Sequence, residues 1–295
     1  MIELNIDYLK RNGNNEFYHL TIFNICKSEV KRMDHIIKSY ENYKEEDRLS
    51  SNNARKIEFI TSIRAIKDRI NKKAKILDCA AGTGIYSFEL AHEEHEVTAL
   101  DLTPRHVSIM KDRIKSCNFT MDIDVNDATD LSRFDDETFD VVLCMGPIYH
   151  LVDENLRQKC LKECYRVLRK GGILVLAYIS RYYVFPYIAT QDKKYLNLNL
   201  GIKINKTGTI HSNDPDCFWT DCFFATPEEI ESYMIQNGLK VLDHLASDGI
   251  SPFISDKIDA LTESEFKVWC DYHYSVCRER SILGSSNHGL IIGRK

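Results

Sequence analysis

No proline occurs before Pro104 and only six occur in all, so nothing breaks residues 1–73 sharply. Cys-x-x-Cys is absent. The ten cysteines (Cys26, Cys79, Cys117, Cys144, Cys160, Cys164, Cys217, Cys222, Cys270 and Cys277) are scattered instead. Such scatter reads as reduced structural thiols, not as a disulfide framework, and no metal is expected. Cys217 and Cys222, in a loop-rich stretch, are the one pair to weigh as a thiol relay or metal ligands. An excess of basic residues is missing too: the formal net charge is −5, which lacks the electrostatic footprint of a protein for duplex or long RNA. The longest uninterrupted apolar run, Ile173 to Ile179, is far too short for a bilayer, and the first residues show no basic-then-apolar leader. No internal repeat or low-complexity tract is present. The expectation is a soluble, cytoplasmic monomer or homodimer with no membrane or nucleic-acid partner, acting on a small molecule or peptide.

What is present is alternation. Residues 1–73 read mostly as helix, with Ile57, Phe59, Ile60, Ile63, Ile66 and Ile70 as the clearest apolar stripe. From residue 75 short strands and helices follow one another. Strands are expected at 75–79, 96–100, 119–125, 139–145, 173–179, 239–245 and 289–293. Thr103-Pro104 and Thr226-Pro227 supply N-caps with first-turn prolines, and Gly171-Gly172 is expected to end a helix opened by Asp153. This pattern implies a doubly wound α/β fold around a seven-stranded, mostly parallel sheet. The chain divides into a helical extension (1–73), a core (74–180), an insertion without clear period (181–225), more core (226–245), a second insertion (246–287) and a last strand (288–295).

The segment with chemical content runs from Lys75 to Ser87. A strand ends at Asp78, and a small-residue loop through Gly82 and Gly84 leads into a helix, so a ligand can approach the backbone unobstructed. Alone, such a turn is shared by many nucleotide folds. Three further features fall at the same sheet edge, where open α/β sheets bind ligands. Asp101 ends the second strand, where a carboxylate can accept ribose hydroxyls. Asn126-Asp127-Ala128 follows the third, and Cys144-Met145-Gly146-Pro147-Ile148-Tyr149-His150-Leu151 follows the fourth. A pyrophosphate-bearing dinucleotide fits less well, because Asp78 before the loop suits a cationic ligand better than an anion.

Over roughly residues 55–180, and again in the final strands, the chain resembles the class I S-adenosylmethionine-dependent methyltransferase family. The likeness rests on Leu77-Asp-Cys-Ala-Ala-Gly-Thr-Gly84, Asp101, Asp127, the strand from Phe139 to Cys144 and the segment from Leu161 to Gly172. Within the family it is most similar to bacterial small-molecule enzymes with a Gly-Pro-x-Tyr-His-Leu loop. The resemblance implies a Rossmann-like fold and S-adenosylmethionine as methyl donor. Gly82 and Gly84 would lie against its methionine portion, Asp101 on the ribose and Asp127 near adenine. It also points to Asp78, Leu102, Ala128, Cys144 and Met145 as cofactor neighbours. Ala80 stands where the family usually has its first glycine. Relatives fold an N-terminal helix over the ligand, which makes Tyr43 and Arg48 candidates for its carboxylate, with Tyr40 nearby.

Tyr149 and His150 are candidates for a substrate or catalytic role. His288 joins them on topology: an antiparallel last strand starts at the edge where the parallel strands finish. The expected function is methyl transfer to N, O or S of a small molecule or peptide. The alternatives are a tRNA or rRNA methyltransferase and a non-catalytic S-adenosylmethionine-binding regulator.

Overall fold

The computed structural model describes residues 35–41, 43–70 and 72–295. The expected helix over residues 1–34, with Cys26, lies outside the described residues. Strands in chain order are β1 (Lys75–Asp78), β2 (Glu96–Asp101), β3 (Asp122–Val125), β4 (Phe139–Cys144), β5 (Leu168–Ile179), β6 (Thr209–Ile210), β7 (Cys222–Phe223), β8 (Lys240–Ala246) and β9 (His288–Arg294). Residues 35–41 are helix α1. The longer helices that follow are α2 (Asn53–Lys67), α3 (Ile85–His92), α4 (Pro104–Arg113), the single turn α5 (Pro147–His150) and α6 (Glu154–Val167).

Seven strands form one sheet in the order β3-β2-β1-β4-β5-β9-β8. β1 to β5 run parallel, and β9 is antiparallel to both its neighbours, β5 and β8. The expected doubly wound, mostly parallel sheet is therefore the observed one. Strand order reverses between β1 and β4, which opens the crevice where such sheets bind ligands. Side chains alternate between the two faces, as the pleat demands. Leu77, Val142, Leu174 and Leu176 join one core layer with α6, while Ile76, Val141, Val175 and Leu290 join the other with α2 and α3. Because both faces are covered there, β5 reads from Ile173 to Ile179 as a continuous apolar run.

Three departures from the sequence reading exceed a single residue at a strand end. β3 starts at Asp122 rather than 119, because Phe119 and Met121 pack sideways against the Phe88–Met110 cluster. Gly171-Gly172 does not end a helix: α6 ends at Val167, and the glycines lie inside β5 at a register shift opposite Phe139 and Val141. A Cβ on Gly172 would meet the Asp140 carbonyl oxygen at 2.8 Å, so only glycine allows this approach. The stretch 181–225 is not aperiodic. It folds into α7 (Arg181–Gln191), α8 (Leu198–Thr207) and the β6–β7 hairpin.

That insertion is bound to the core by Arg181, 8% exposed, which donates to both Glu229 oxygens (2.8 and 2.6 Å) and to the Phe224 carbonyl. Glu229 belongs to the Thr226 capping box of α9 (Pro227–Gln236). The second insertion folds as α10 (Ser255–Asp259), α11 (Glu263–Val276) and α12 (Arg280–Leu283). It packs on α2 through Ala54, Ile57 and Ile258. No helix among the described residues is long and apolar enough to cross a membrane.

Candidate active site

Two adjoining cavities lie at the carboxyl edge of the sheet. The first encloses about 1010 Å³, mouth included, and is lined by the loop after β1, the ends of β2 and β4, and residues 36–49. Asp78, Ala80, Gly82, Asp101, Leu102, Asp127, Ala128, Met145, Arg48, Tyr149 and His150 all line it. The second, about 1740 Å³ with its mouth, lies on the insertion side and is walled by Tyr187, Tyr195, Phe218, Trp219 and Phe224. Tyr40, Glu45, Arg48 and Tyr149 line both, so they form the partition.

The β1 loop is held from below. Gly82 adopts φ +57° and donates its N–H to Asp101 Oδ2 at 2.8 Å. Asp101 Oδ1 accepts from the Thr103 N–H at 2.8 Å and faces His106 Nδ1 at 3.1 Å. The carboxylate therefore fixes the loop from the end of the neighbouring strand, and its remaining acceptor capacity stays at the cavity. Asp78, 2% exposed, accepts from Ser87 Oγ at 2.7 Å. Burial pushes its carboxyl up to about 7, and the Ser87 and Ala80 hydrogen bonds only partly offset this. Asp127 Oδ1 accepts from the Thr129 N–H at 2.8 Å, an Asx turn that sets the loop after β3.

Some expected cofactor neighbours are elsewhere. Cys144 is fully buried, its Sγ 3.7 Å from Cys160 Sγ, and does not line the first cavity. The pleat turns it toward α6, while the next residue, Met145, reaches the cavity. Gly84 caps α3 at φ +86° against Met110 and Phe88; it shapes the turn from behind. Tyr43 lines the second cavity, not the first. Cys217 and Cys222 sit in the insertion's apolar cluster with Phe224 and Ile210.

The partition is aromatic. Tyr40 Oη lies 2.8 Å from His150 Nε2, and the His150 ring packs edge-on against Tyr40, Tyr149 and Trp219. Burial holds the Tyr149 and Tyr40 phenols well above their usual range, so both stay protonated. Arg48 donates to Glu45 (2.9 Å) and to both Glu58 oxygens (2.8 and 3.3 Å).

His288 lines the second cavity. Its Nδ1 lies 2.8 Å from Asp248 Oδ2 and 3.2 Å from Glu58 Oε2. Burial pulls the imidazole down, but Glu58 and Asp248 outweigh it and hold His288 above its usual value. Asp248 Oδ1 accepts from Ser286 Oγ and from the His288 N–H, at 2.8 and 2.9 Å. Glu58 and Asp248 escaped the sequence reading. The available signals were a carboxylate inside the isoleucine stripe of α2 and an Asp-Gly step leaving β8 at the same sheet edge as His288. His106 and Tyr86, which also line the first cavity, carried no motif.

The first cavity fits a nucleoside with a charged amino-acid tail. Carboxylates stand at three strand ends, the turn between them carries no side chain at Gly82, and two buried lining atoms, His106 Nε2 and Tyr86 Oη, lack hydrogen-bond partners among the described residues. S-adenosylmethionine has the complementary hydroxyls, amines and carboxylate.

Comparisons agree. A family model described as a methyltransferase domain matches residues 76–172. A ubiquinone biosynthesis O-methyltransferase of Xanthomonas euvesicatoria is 26% identical over 170 residues, 58% of this chain and 64% of that protein. The match thus spans less than two thirds of the relative's length. Among solved structures, a SAM-dependent methyltransferase of Methanosarcina mazei aligns with TM-score 0.54 and 19% identity, covering 78% of this chain and 96% of that one. A Burkholderia thailandensis 1,6-didemethyltoxoflavin-N1-methyltransferase, solved with S-adenosylhomocysteine, aligns with TM-score 0.55 and 12% identity, covering 91% and 88%. At these identities the two structures speak for the fold alone. Residues 76–172 thus match a methyltransferase domain, and the chain shares the fold of these two methyltransferase structures.

Proposed function

We propose that this protein transfers a methyl group from S-adenosylmethionine to an N, O or S nucleophile of a small molecule or peptide held in the second cavity. The observation that carries this reading is the shared partition: a donor cavity and an acceptor cavity meet at Tyr40, Glu45, Arg48 and Tyr149. The donor supplies an activated methyl on a sulfonium, so the protein's task is alignment and exclusion of water. Asp101 and Asp127 would hold the nucleoside, and Asp78, Ala80 and Gly82 the amino-acid end. Tyr149 and His150, the latter edge-on to Tyr40 and Trp219, would fix the acceptor's approach. The insertions carrying Tyr187, Phe218 and Trp219 would cover it.

Support for a ring-bearing acceptor comes from those aromatic walls. O-methyl transfer is the chemistry named for the Xanthomonas relatives, and N-methyl transfer that of the Burkholderia enzyme. Both kinds of nucleophile stay within the proposal. An RNA acceptor is disfavoured by the carboxylates Glu45, Glu58, Asp192 and Asp248 on the acceptor cavity.

Calorimetric titration with S-adenosylmethionine, S-adenosylhomocysteine and NAD tests the donor half. Preferential NAD binding would defeat the reading. Isotopically labelled methyl donor with pools of small phenols, amines, thiols and peptides tests the acceptor half. Tight donor binding with no transfer to any pool would favour a non-catalytic binding protein.

A further inference from the structure

We infer that Glu58, Asp248 and His288 form a binding site for one divalent first-row cation on the wall of the second cavity. The three side chains come from α2, from the loop after β8 and from the start of β9. One ligand atom from each lies within 4.8 Å of the other two. The two separations from His288 Nδ1, 2.8 Å to Asp248 Oδ2 and 3.2 Å to Glu58 Oε2, bracket the spacing of neighbouring donors around such an ion. At metal–ligand distances of about 2.1 Å, cis donors stand about 3.0 Å apart. One imidazole with two carboxylates suits manganese, iron, cobalt or zinc better than magnesium or calcium.

Charge supports an ion there. The part-buried groups around the cluster are three carboxylates, Glu45, Glu58 and Asp248, against the single guanidinium of Arg48. At the rim of the same cavity Asp192 and Arg55 offset one another. A divalent ion bound by a neutral imidazole brings that set to neutrality. Arg48 already donates to Glu58 Oε2, but a carboxylate oxygen has a second lone pair for an ion.

Asp248 is built like a ligand. Its Oδ1 is pinned by Ser286 Oγ and the His288 N–H, which fixes Oδ2 toward the imidazole; metal-binding carboxylates are commonly oriented this way. A separate observation lies close by. The Tyr183 hydroxyl, on a residue 2% exposed, has no hydrogen-bond partner among the described residues, and burial with the Asp248 charge holds it protonated. The remaining coordination positions would face the cavity lined by Asn287 and Ser255, open to an acceptor oxygen or nitrogen.

The test uses the full chain, stripped with chelator and titrated with Mn²⁺ and Co²⁺ by calorimetry and by electron paramagnetic resonance. One equivalent should bind saturably, with nitrogen coupling to manganese that changes on ¹⁵N-histidine labelling. His288→Gln and Asp248→Asn should each weaken binding at least 100-fold while S-adenosylhomocysteine affinity stays within twofold. Because the ion displaces one proton, its apparent Kd should rise about tenfold per pH unit below the imidazole pKa. That imidazole is faced by Glu58 from α2, by Arg48 from the segment before it, by Asp248 from the loop after β8 and by the Asn287 amide at 3.2 Å. Sub-stoichiometric binding, no nitrogen coupling in the wild-type protein, or full retention in both variants would overturn the site. Loss of S-adenosylhomocysteine binding would instead count against the donor cavity, so the two readings fail separately.

Discussion

Asp78 gives the sharpest handle on the first cavity. Its carboxyl is buried and titrates near 7 in the free protein. A cationic amino group settling beside it should return it to the ordinary carboxylate range near 4. At pH 6 the free protein then holds about nine-tenths of a proton there and the complex almost none; at pH 8 both hold about one-tenth or less. S-adenosylhomocysteine should therefore bind about tenfold more tightly at pH 8 than at pH 6, which is about 1.4 kcal/mol. Calorimetry in buffers of different ionisation enthalpy should show release of about 0.9 proton at pH 6, and Asp78→Asn should abolish both effects. The unliganded protein should show the opposite trend. Unfolded Asp78 ionises near 3.8 and folded Asp78 near 7, so between them the folded state holds the extra proton. Stability should fall as pH rises through that window, by about 4 kcal/mol at most. Flat affinity between pH 6 and 8, with no buffer dependence, would refute the pairing of Asp78 with a cationic ligand.

Other outcomes follow from the same geometry. Gly84→Ala should cost about 1–3 kcal/mol in urea unfolding, since its Cβ would meet Met110 Sδ and Phe88 at 2.9 Å in a left-handed backbone. Asp101→Ala frees the Gly82 and Thr103 N–H groups; S-adenosylhomocysteine affinity by calorimetry should drop at least about tenfold, and stability by about 1–3 kcal/mol. Arg181→Met should lower the denaturation midpoint, because it leaves the Phe224 carbonyl and Glu229 without their buried donor; the expected loss is about 2 kcal/mol. Once an acceptor is found, Tyr149→Phe should change the transfer rate without altering the shape of its pH profile below pH 10, since the buried phenol stays protonated throughout.

The fold was legible because local signals agreed with the global plan. The apolar run of β5, the first-turn proline of α4, the cap at Thr226 and the glycine turn after Asp78 each act within a few residues. The insertion 181–225 was opaque for the opposite reason. α7 holds Pro186 within it and buries Val184 and Ile188 among residues of α8 and the hairpin, while Tyr183 turns to Phe253 instead, so no single apolar stripe marks it. Side-chain direction was also hidden at the site. Cys144 and Met145 are adjacent in sequence, yet one faces α6 and the other the cavity. Glu58 and Asp248 needed tertiary structure to meet His288, because α2, the β8 loop and β9 lie far apart along the chain.

β9 runs between β5 and β8, so β8 reaches the sheet only through it. A ribosome-bound chain ending before residue 288 would have β5 with a bare edge and β8 with no sheet partner at all. It would also lack the imidazole that Asp248 and Glu58 surround. Closure of the sheet and completion of the second cavity's wall are thus one late event. Since those pairings bridge distant parts of the chain, that event should be slow relative to helix formation, and a C-terminal truncation should abolish the second cavity before it damages the first.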